Sequence, residues 1–193
     1  MNSSNTMFRR IAAAAVVSAV STTVLAGAAS AETRVFKDER GDMAHGADIH
    51  RVRVVNDKQV RVNVVHRDLR RSYKSGSSIT VFIDTDRKRK GPEFVFLGGT
   101  FEGSDYALLK AKGWKRAGDQ QVPLHGGSYI MKVDYAEDVA RIRFDRAVLG
   151  NPKAVRVEVK TGGEHVPQGE EPATTEKDWL GQPRDFTRWV KRG

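Results

Sequence analysis

Cysteine is absent from all 193 residues. Without it no disulfide can staple the fold, no thiolate zinc site can form, no thiol redox chemistry is open to the chain, and no lipid-modified N-terminal cysteine can anchor it. Sustained 3.6-residue periodicity is missing as well, so no long amphipathic helix is predicted. There is no internal repeat. The histidines at 45, 50, 66, 125 and 165 lack metal-ligand spacing such as His-x-x-x-His, no Gly-x-Ser-x-Gly nucleophile elbow occurs, and no spacing singles out a glycosidase pair among the acids. Acids are also in deficit: 24 Asp and Glu face 33 Lys and Arg, a formal charge of +9.

Extended apolar sequence is confined to the N-terminus. Arg9 and Arg10 form a basic start, Ile11 to Leu25 an apolar stretch interrupted by Ser18, Ser21, Thr22 and Thr23, and Ala29-Ser30-Ala31 a small-residue cleavage signal. This is the pattern of a secretory leader cut near Ala31 rather than of a retained membrane span. Ile11-Ala12-Ala13 after the arginine pair lacks the twin-arginine pattern, so the general secretory route is expected. The predicted product is secreted and free of any membrane anchor, which excludes nuclear, cytosolic and ATP-dependent roles and any intracellular nucleic acid partner. The Asn2-Ser3-Ser4 glycosylation match lies inside the leader.

Cleavage would leave 162 residues, enough for a single domain with its own core, and a charge of +7 after loss of Arg9 and Arg10. A period of 2 dominates this remainder. Val52 and Val54 oppose Arg51 and Arg53; after the turn Asn56-Asp57-Lys58-Gln59, Val60, Val62 and Val64 oppose Arg61 and Asn63, which predicts a hairpin. Ile142 and Phe144 alternate with Arg141 and Arg143, and Val155, Val157 and Val159 with Arg156, Glu158 and Lys160. Ile79 to Ile83 and Phe94 to Leu97 are apolar on both faces and are predicted to pair with each other. Further strands are predicted at Arg34 to Lys37, Ala107 to Lys112, Tyr129 to Tyr135 and Phe186 to Val190, with short helical turns at Asp68 to Tyr73 and Asp145 to Leu149. The prediction is an all-β, antiparallel two-sheet sandwich or jelly roll of roughly eight or nine strands over 32–193. Thr161 to Asp178, rich in Gly, Pro, Glu and Thr, reads as an exposed excursion.

Several segments carry chemistry. Asp84-Thr85-Asp86 ends an apolar strand, and two carboxylates at i and i+2 can hold calcium, with Asp42 and Asp48 as distant partners. Arg87, Lys88, Arg89 and Lys90 follow where a calcium loop would continue with oxygen ligands and glycine, so loop capping and salt bridges are the competing reading. Those four cations, with Arg67, Arg70, Arg71 and Lys74 and the outward arginines Arg51, Arg53, Arg61, Arg141 and Arg143, could form a face for a polyanion; a solvated sheet surface is the alternative. Trp114, Tyr106 and Tyr129 offer rings for stacking on sugar faces. Trp179 and Trp189 are expected in the core. His125-Gly126-Gly127-Ser128 reads as a glycine turn before a strand.

The order Gly41-Asp42, Asp48-Ile49, an alternating hairpin, then Asp84-Thr85-Asp86 with Gly91-Pro92-Glu93-Phe94 resembles small secreted bacterial β-sandwich proteins and, more distantly, family 9 carbohydrate-binding modules, over Asp38 to Lys160. Such modules imply sugar binding through aromatic clamps, with a structural calcium. The functional expectation is a secreted, non-catalytic binding protein whose ligand is extracellular carbohydrate or an anionic wall polymer. Two alternatives stand beside it: a structural or protein-interaction role at the cell surface, and an unrecognised hydrolase.

Overall fold

The computed structural model describes residues 32–43, 46–75, 77–114, 120–165 and 174–193. The leader, including the predicted cleavage site, lies outside them. Eleven strands occur among the described residues: β1 (Glu32–Lys37), β2 (Ile49–Asn56), β3 (Gln59–His66), β4 (Ser78–Asp84), β5 (Phe94–Gly99), β6 (Tyr106–Lys110), β7 (Tyr129–Asp134), β8 (Val139–Asp145), β9 (Ala154–His165), β10 (Thr174–Trp179) and β11 (Val190–Lys191). They form two antiparallel sheets, ordered β1-β2-β3-β8-β7 and β10-β9-β4-β5-β6, with β11 paired to β9. The expected two-sheet sandwich is therefore what the chain builds, with more strands than expected.

The alternation explains the packing. In the first sheet Val52, Val64 and Ala140 share one rung, as do Val54, Val62 and Ile142. In the second, Val81 lies between Phe96 and Val159, and Phe96 is followed by Leu108. These rungs face one another as one core. Phe96 from the second sheet meets Phe144 from the first edge-on at 5.6 Å. Each fully buried Val, Ile, Leu or Phe among them contributes about 1.5–3 kcal/mol relative to exposure.

Two expectations need correction. The described parts of Thr161 to Asp178 are not an exposed excursion: β9 runs on to His165, and β10 returns along it with Thr161 opposite Asp178 and Lys160 opposite Trp179, while residues 166–173 lie outside the described residues. Polar composition conceals this hairpin because two of its inward polar groups, Thr161 and Asp178, are satisfied across the sandwich. The Thr161 hydroxyl donates to Ala47 O at 2.9 Å, and Asp178 Oδ2 accepts the Ile49 N–H at 2.6 Å. The expected strand at Phe186 to Val190 shrinks to β11, and residues 180–189 follow β9 as irregular chain, anchored where Leu180 N–H donates to Val159 O and Thr187 N–H to Val157 O. The short turns are 3₁₀, at Tyr73–Ser75 and Arg146–Leu149. Arg146 is buried, donating to Asn56 Oδ1, Asp57 O and Pro152 O, and so joins the β2–β3 turn to the approach of β9.

Candidate functional site

The outer face of the second sheet carries the most chemistry. Along β4, Ile79, Val81 and Ile83 point inward, which turns Thr80, Phe82 and Asp84 outward; the register places them opposite Lys160, Glu158 and Arg156 of β9. An apolar ring in the middle of an outer face needs cover, and three segments provide it. From β10, Trp179 stacks on Phe82 at 6.0 Å with planes 10° apart. Trp114, in the loop after β6, meets Phe82 from another side at 5.4 Å. Phe186, in the chain before β11, packs on Trp114 at 4.7 Å.

Cations interleave with these rings. Arg156 lies 4.7 Å from the centre of Phe186 and 4.8 Å from that of Trp189, and Arg87 lies 4.6 Å from the centre of Trp189. Lys160 sits 5.4 Å from Trp179. Burial holds this ammonium below its ordinary pKa, with Lys177 adding to the effect. The result is a row: Lys160, Trp179, Phe82, Trp114, Phe186, Arg156, Trp189, Arg87. All three tryptophans of the chain are in it, each only partly buried. Such contacts contribute about 0.5–2 kcal/mol each, according to how far the cation is desolvated.

Glu158 is held beneath the row. It is fully buried; Oε1 accepts the Arg184 N–H at 2.6 Å, and Oε2 has no partner among the described residues. Burial pushes its carboxyl up to about 7, against the opposing pull of the Arg184 N–H. The unfolded chain ionises near 4.5, so between that value and about 7 the folded state binds the extra proton. This site's contribution to stability is therefore full below the unfolded pKa and declines as pH rises to about 7. Glu158→Gln should flatten that decline: melting near the wild type at about pH 4 and a few degrees higher at about pH 8. Calorimetry at the two pH values checks this, and an identical wild-type and variant profile would contradict it.

The structure separates the residues singled out from sequence. Trp114 belongs to the row, but Tyr129 does not: it is a core side chain whose hydroxyl donates to Val122 O at 2.9 Å. Tyr106 also faces inward, against Phe96 at 5.8 Å and Tyr129 at 6.1 Å. Neither ring shares a surface with Trp114, because both fall on the core side of their strands' alternation. Conversely, Trp179 and Trp189, expected in the core, line the outer face.

The basic residues are divided between opposite sides of the sandwich. Arg51, Arg53, Arg61, Arg141 and Arg143 share the outer face of the first sheet, where Arg61 lies opposite Arg143 and Asn63 opposite Arg141. Arg141 is paired with Asp134 at 2.9 Å and with Glu137. Arg87, Lys88, Arg89 and Lys90 occupy the β4–β5 loop; Arg87 turns onto Trp189, and Arg89 approaches Glu93 at 3.9 Å. Arg70 pairs with Asp68 at 2.7 Å, and Arg71 approaches Glu102 at 3.5 Å. Among the described residues these cations do not form one continuous basic face.

The expected calcium loop at Asp84 and Asp86 is occupied by an arginine instead. Asp84 is fully buried; its Oδ2 takes Arg156 Nε at 2.7 Å and Nη2 at 2.6 Å, and its Oδ1 accepts the Asp86 N–H at 3.1 Å. Asp86 caps the Lys88 N–H at 2.9 Å. Asp42 and Asp48 are not its partners, since Asp48 stands near Asp178, whose β9 neighbour Thr161 is five residues from Arg156, or roughly 17 Å along the strand.

Sequence reasoning missed Phe82, Phe186 and Arg156 as members of the site. Signals existed: Phe82 is the outward ring of a run apolar on both faces, and Arg156 is an outward position of the Val155, Val157 and Val159 alternation. No family model matches the chain, and no curated protein matches it.

Proposed function

We propose that this protein is exported, loses its leader near Ala31, and binds an acidic extracellular polysaccharide or anionic wall polymer through the outer face of its second sheet. The observation carrying this reading is the row in which three tryptophans and two phenylalanines are contacted by Lys160 at one end and by Arg156 and Arg87 at the other. Rings offer flat surfaces to the C–H faces of sugars, and guanidinium groups between them suit carboxylate or phosphate substituents. Asp84 and Glu158, which lie opposite Arg156 and Phe82 across β4 and β9, are both wholly buried, which supports binding over turnover.

The test is an array of neutral and acidic glycans and wall polymers, followed by titration of the best ligand. Trp114→Ala and Trp189→Ala should each weaken binding at least tenfold, about 1.4 kcal/mol, with circular dichroism unchanged. Acidic ligands should be favoured over neutral ones, and affinity should fall with added salt. A variant with Arg51, Arg53 and Arg61 all changed to Ser should bind as the wild type does. Loss of binding in that variant, with both tryptophan variants unaffected, would move the site to the first sheet and overturn the proposal. Silence across the array with capture of a purified surface protein would favour the protein-interaction role instead.

A further inference from the structure

Opposite the arginine-filled Asp84 loop, four acids converge with little to neutralise them. Asp38 and Asp42 lie in the β1–β2 connection, Asp48 immediately precedes β2, and Asp178 comes from β10 more than a hundred residues later. Asp42, Asp48 and Asp178 each offer a carboxylate oxygen within 4.8 Å of the others. Part of their hydrogen-bonding capacity is used to build the place: Asp48 Oδ2 accepts the Gly41 N–H at 3.0 Å and lies 3.2 Å from His50 Nε2, Asp178 Oδ2 accepts the Ile49 N–H, and Asp38 Oδ1 accepts the Gly181 N–H at 3.0 Å.

The remainder is unsatisfied. Asp48 is fully buried, yet its Oδ1 has no partner among the described residues, and Asp38 Oδ2 is likewise buried without one. A buried carboxylate oxygen with neither donor nor cation is strongly disfavoured, and here neighbouring carboxylates aggravate it. Burial pushes Asp178 up to about 7, and Asp42 and Asp38 push in the same direction. No Lys or Arg forms an ion pair with these acids among the described residues. His50 is the nearest group able to carry positive charge.

We propose that Asp42, Asp48 and Asp178, with Asp38 at the margin, form a calcium site that ties the β1–β2 connection to β10. The donors are all oxygen, which selects a hard cation. Oxygens on opposite sides of a calcium ion lie about 4.6–5.2 Å apart, so separations within 4.8 Å are compatible with ligands of a single ion. The ion supplies the positive charge that the pocket's orphaned oxygens lack. It also joins segments distant in sequence, so it favours the folded state by mass action.

The test is thermal unfolding and calorimetric titration of the purified protein with calcium, with magnesium and with chelator. Calcium at about a hundred times its dissociation constant should raise the melting temperature by roughly 5–10 °C, reversibly on chelation, with a smaller response to magnesium. Asp42→Asn changes an exposed residue and should keep the fold while losing most of the calcium shift. Asp178→Asn should melt higher than the wild type in chelator, because repulsion is relieved, and respond weakly to calcium. Terbium should bind to the wild type with luminescence sensitised by the adjacent Trp179, and calcium should displace it. A wild type indifferent to millimolar calcium overturns the proposal. So does a calcium shift that survives intact in both variants, since the ion would then bind elsewhere.

Discussion

Arg156→Met should cost about 3–5 kcal/mol of stability, read as a lower urea midpoint at unchanged slope. The methionine keeps much of the packing between Phe186 and Trp189 but leaves Asp84, which is fully buried, as an uncompensated carboxylate. Removing one member of a buried pair is the expensive change; removing both is not. The double variant Asp84→Asn with Arg156→Met should therefore recover at least half of the loss, a coupling visible only for groups in direct contact. A single-variant cost under about 1 kcal/mol would mean that the pair behaves as a solvated surface bridge. Because Arg156 also lies between two rings of the proposed ligand face, the double variant separates the roles: stability returns while affinity for the acidic ligand stays reduced.

Gly91→Ala should be nearly as damaging, at about 3 kcal/mol, for a backbone reason. Gly91 has φ +88°, which costs an L-residue about 1–2 kcal/mol, and a Cβ there would lie 2.7 Å from Gly113 Cα and 3.0 Å from Trp114 N. Those are main-chain atoms and cannot rotate aside. The β4–β5 loop and the loop bearing Trp114 are in backbone contact here, reinforced by the Gly113 N–H donating to Pro92 O at 3.1 Å. Relief requires the Trp114 loop to lift from Phe82, so the expected result combines a lower melting temperature with a red-shifted tryptophan emission and weaker ligand binding. Wild-type stability in this variant would show that the loops tolerate separation.

The fold was legible where side chains alternate by character. The valine and arginine positions of β2, β3 and β8 declare inside and outside residue by residue, and the pairing of β4 with β5 follows from two short runs apolar on both faces. The β9–β10 hairpin was not legible, because Gly162 and Gly163 lie opposite Lys177 and Glu176 and their pairing rests on backbone hydrogen bonds and close approach rather than on apolar side chains. The candidate site was half legible for a related reason. Trp114 stood out through its polar neighbours, but whether an aromatic residue faces the core or a covered outer surface depends on strand parity. For Tyr106 and Tyr129 that parity pointed inward. Trp189 lies in irregular chain, where parity has no meaning. The acids Asp48 and Asp178 meet only through sheet packing, which no spacing along the chain encodes.

The first and last strands of the sandwich also meet: the Lys191 N–H donates to the Glu32 carboxylate, and the Gly193 N–H to Asn56 O at 3.2 Å. The chain passes from one sheet to the other between β3 and β4, back between β6 and β7, and over again between β8 and β9, so neither sheet is finished until late in the sequence. Pairings such as β3 with β8 and β4 with β9 close large loops before they return any burial. Such a topology folds on the millisecond-to-second scale rather than in microseconds, and it has no partial product with a complete core. The folding barrier should accordingly be dominated by the moment β8 and β9 arrive, which makes this a slow, all-or-none molecule whatever its ligand.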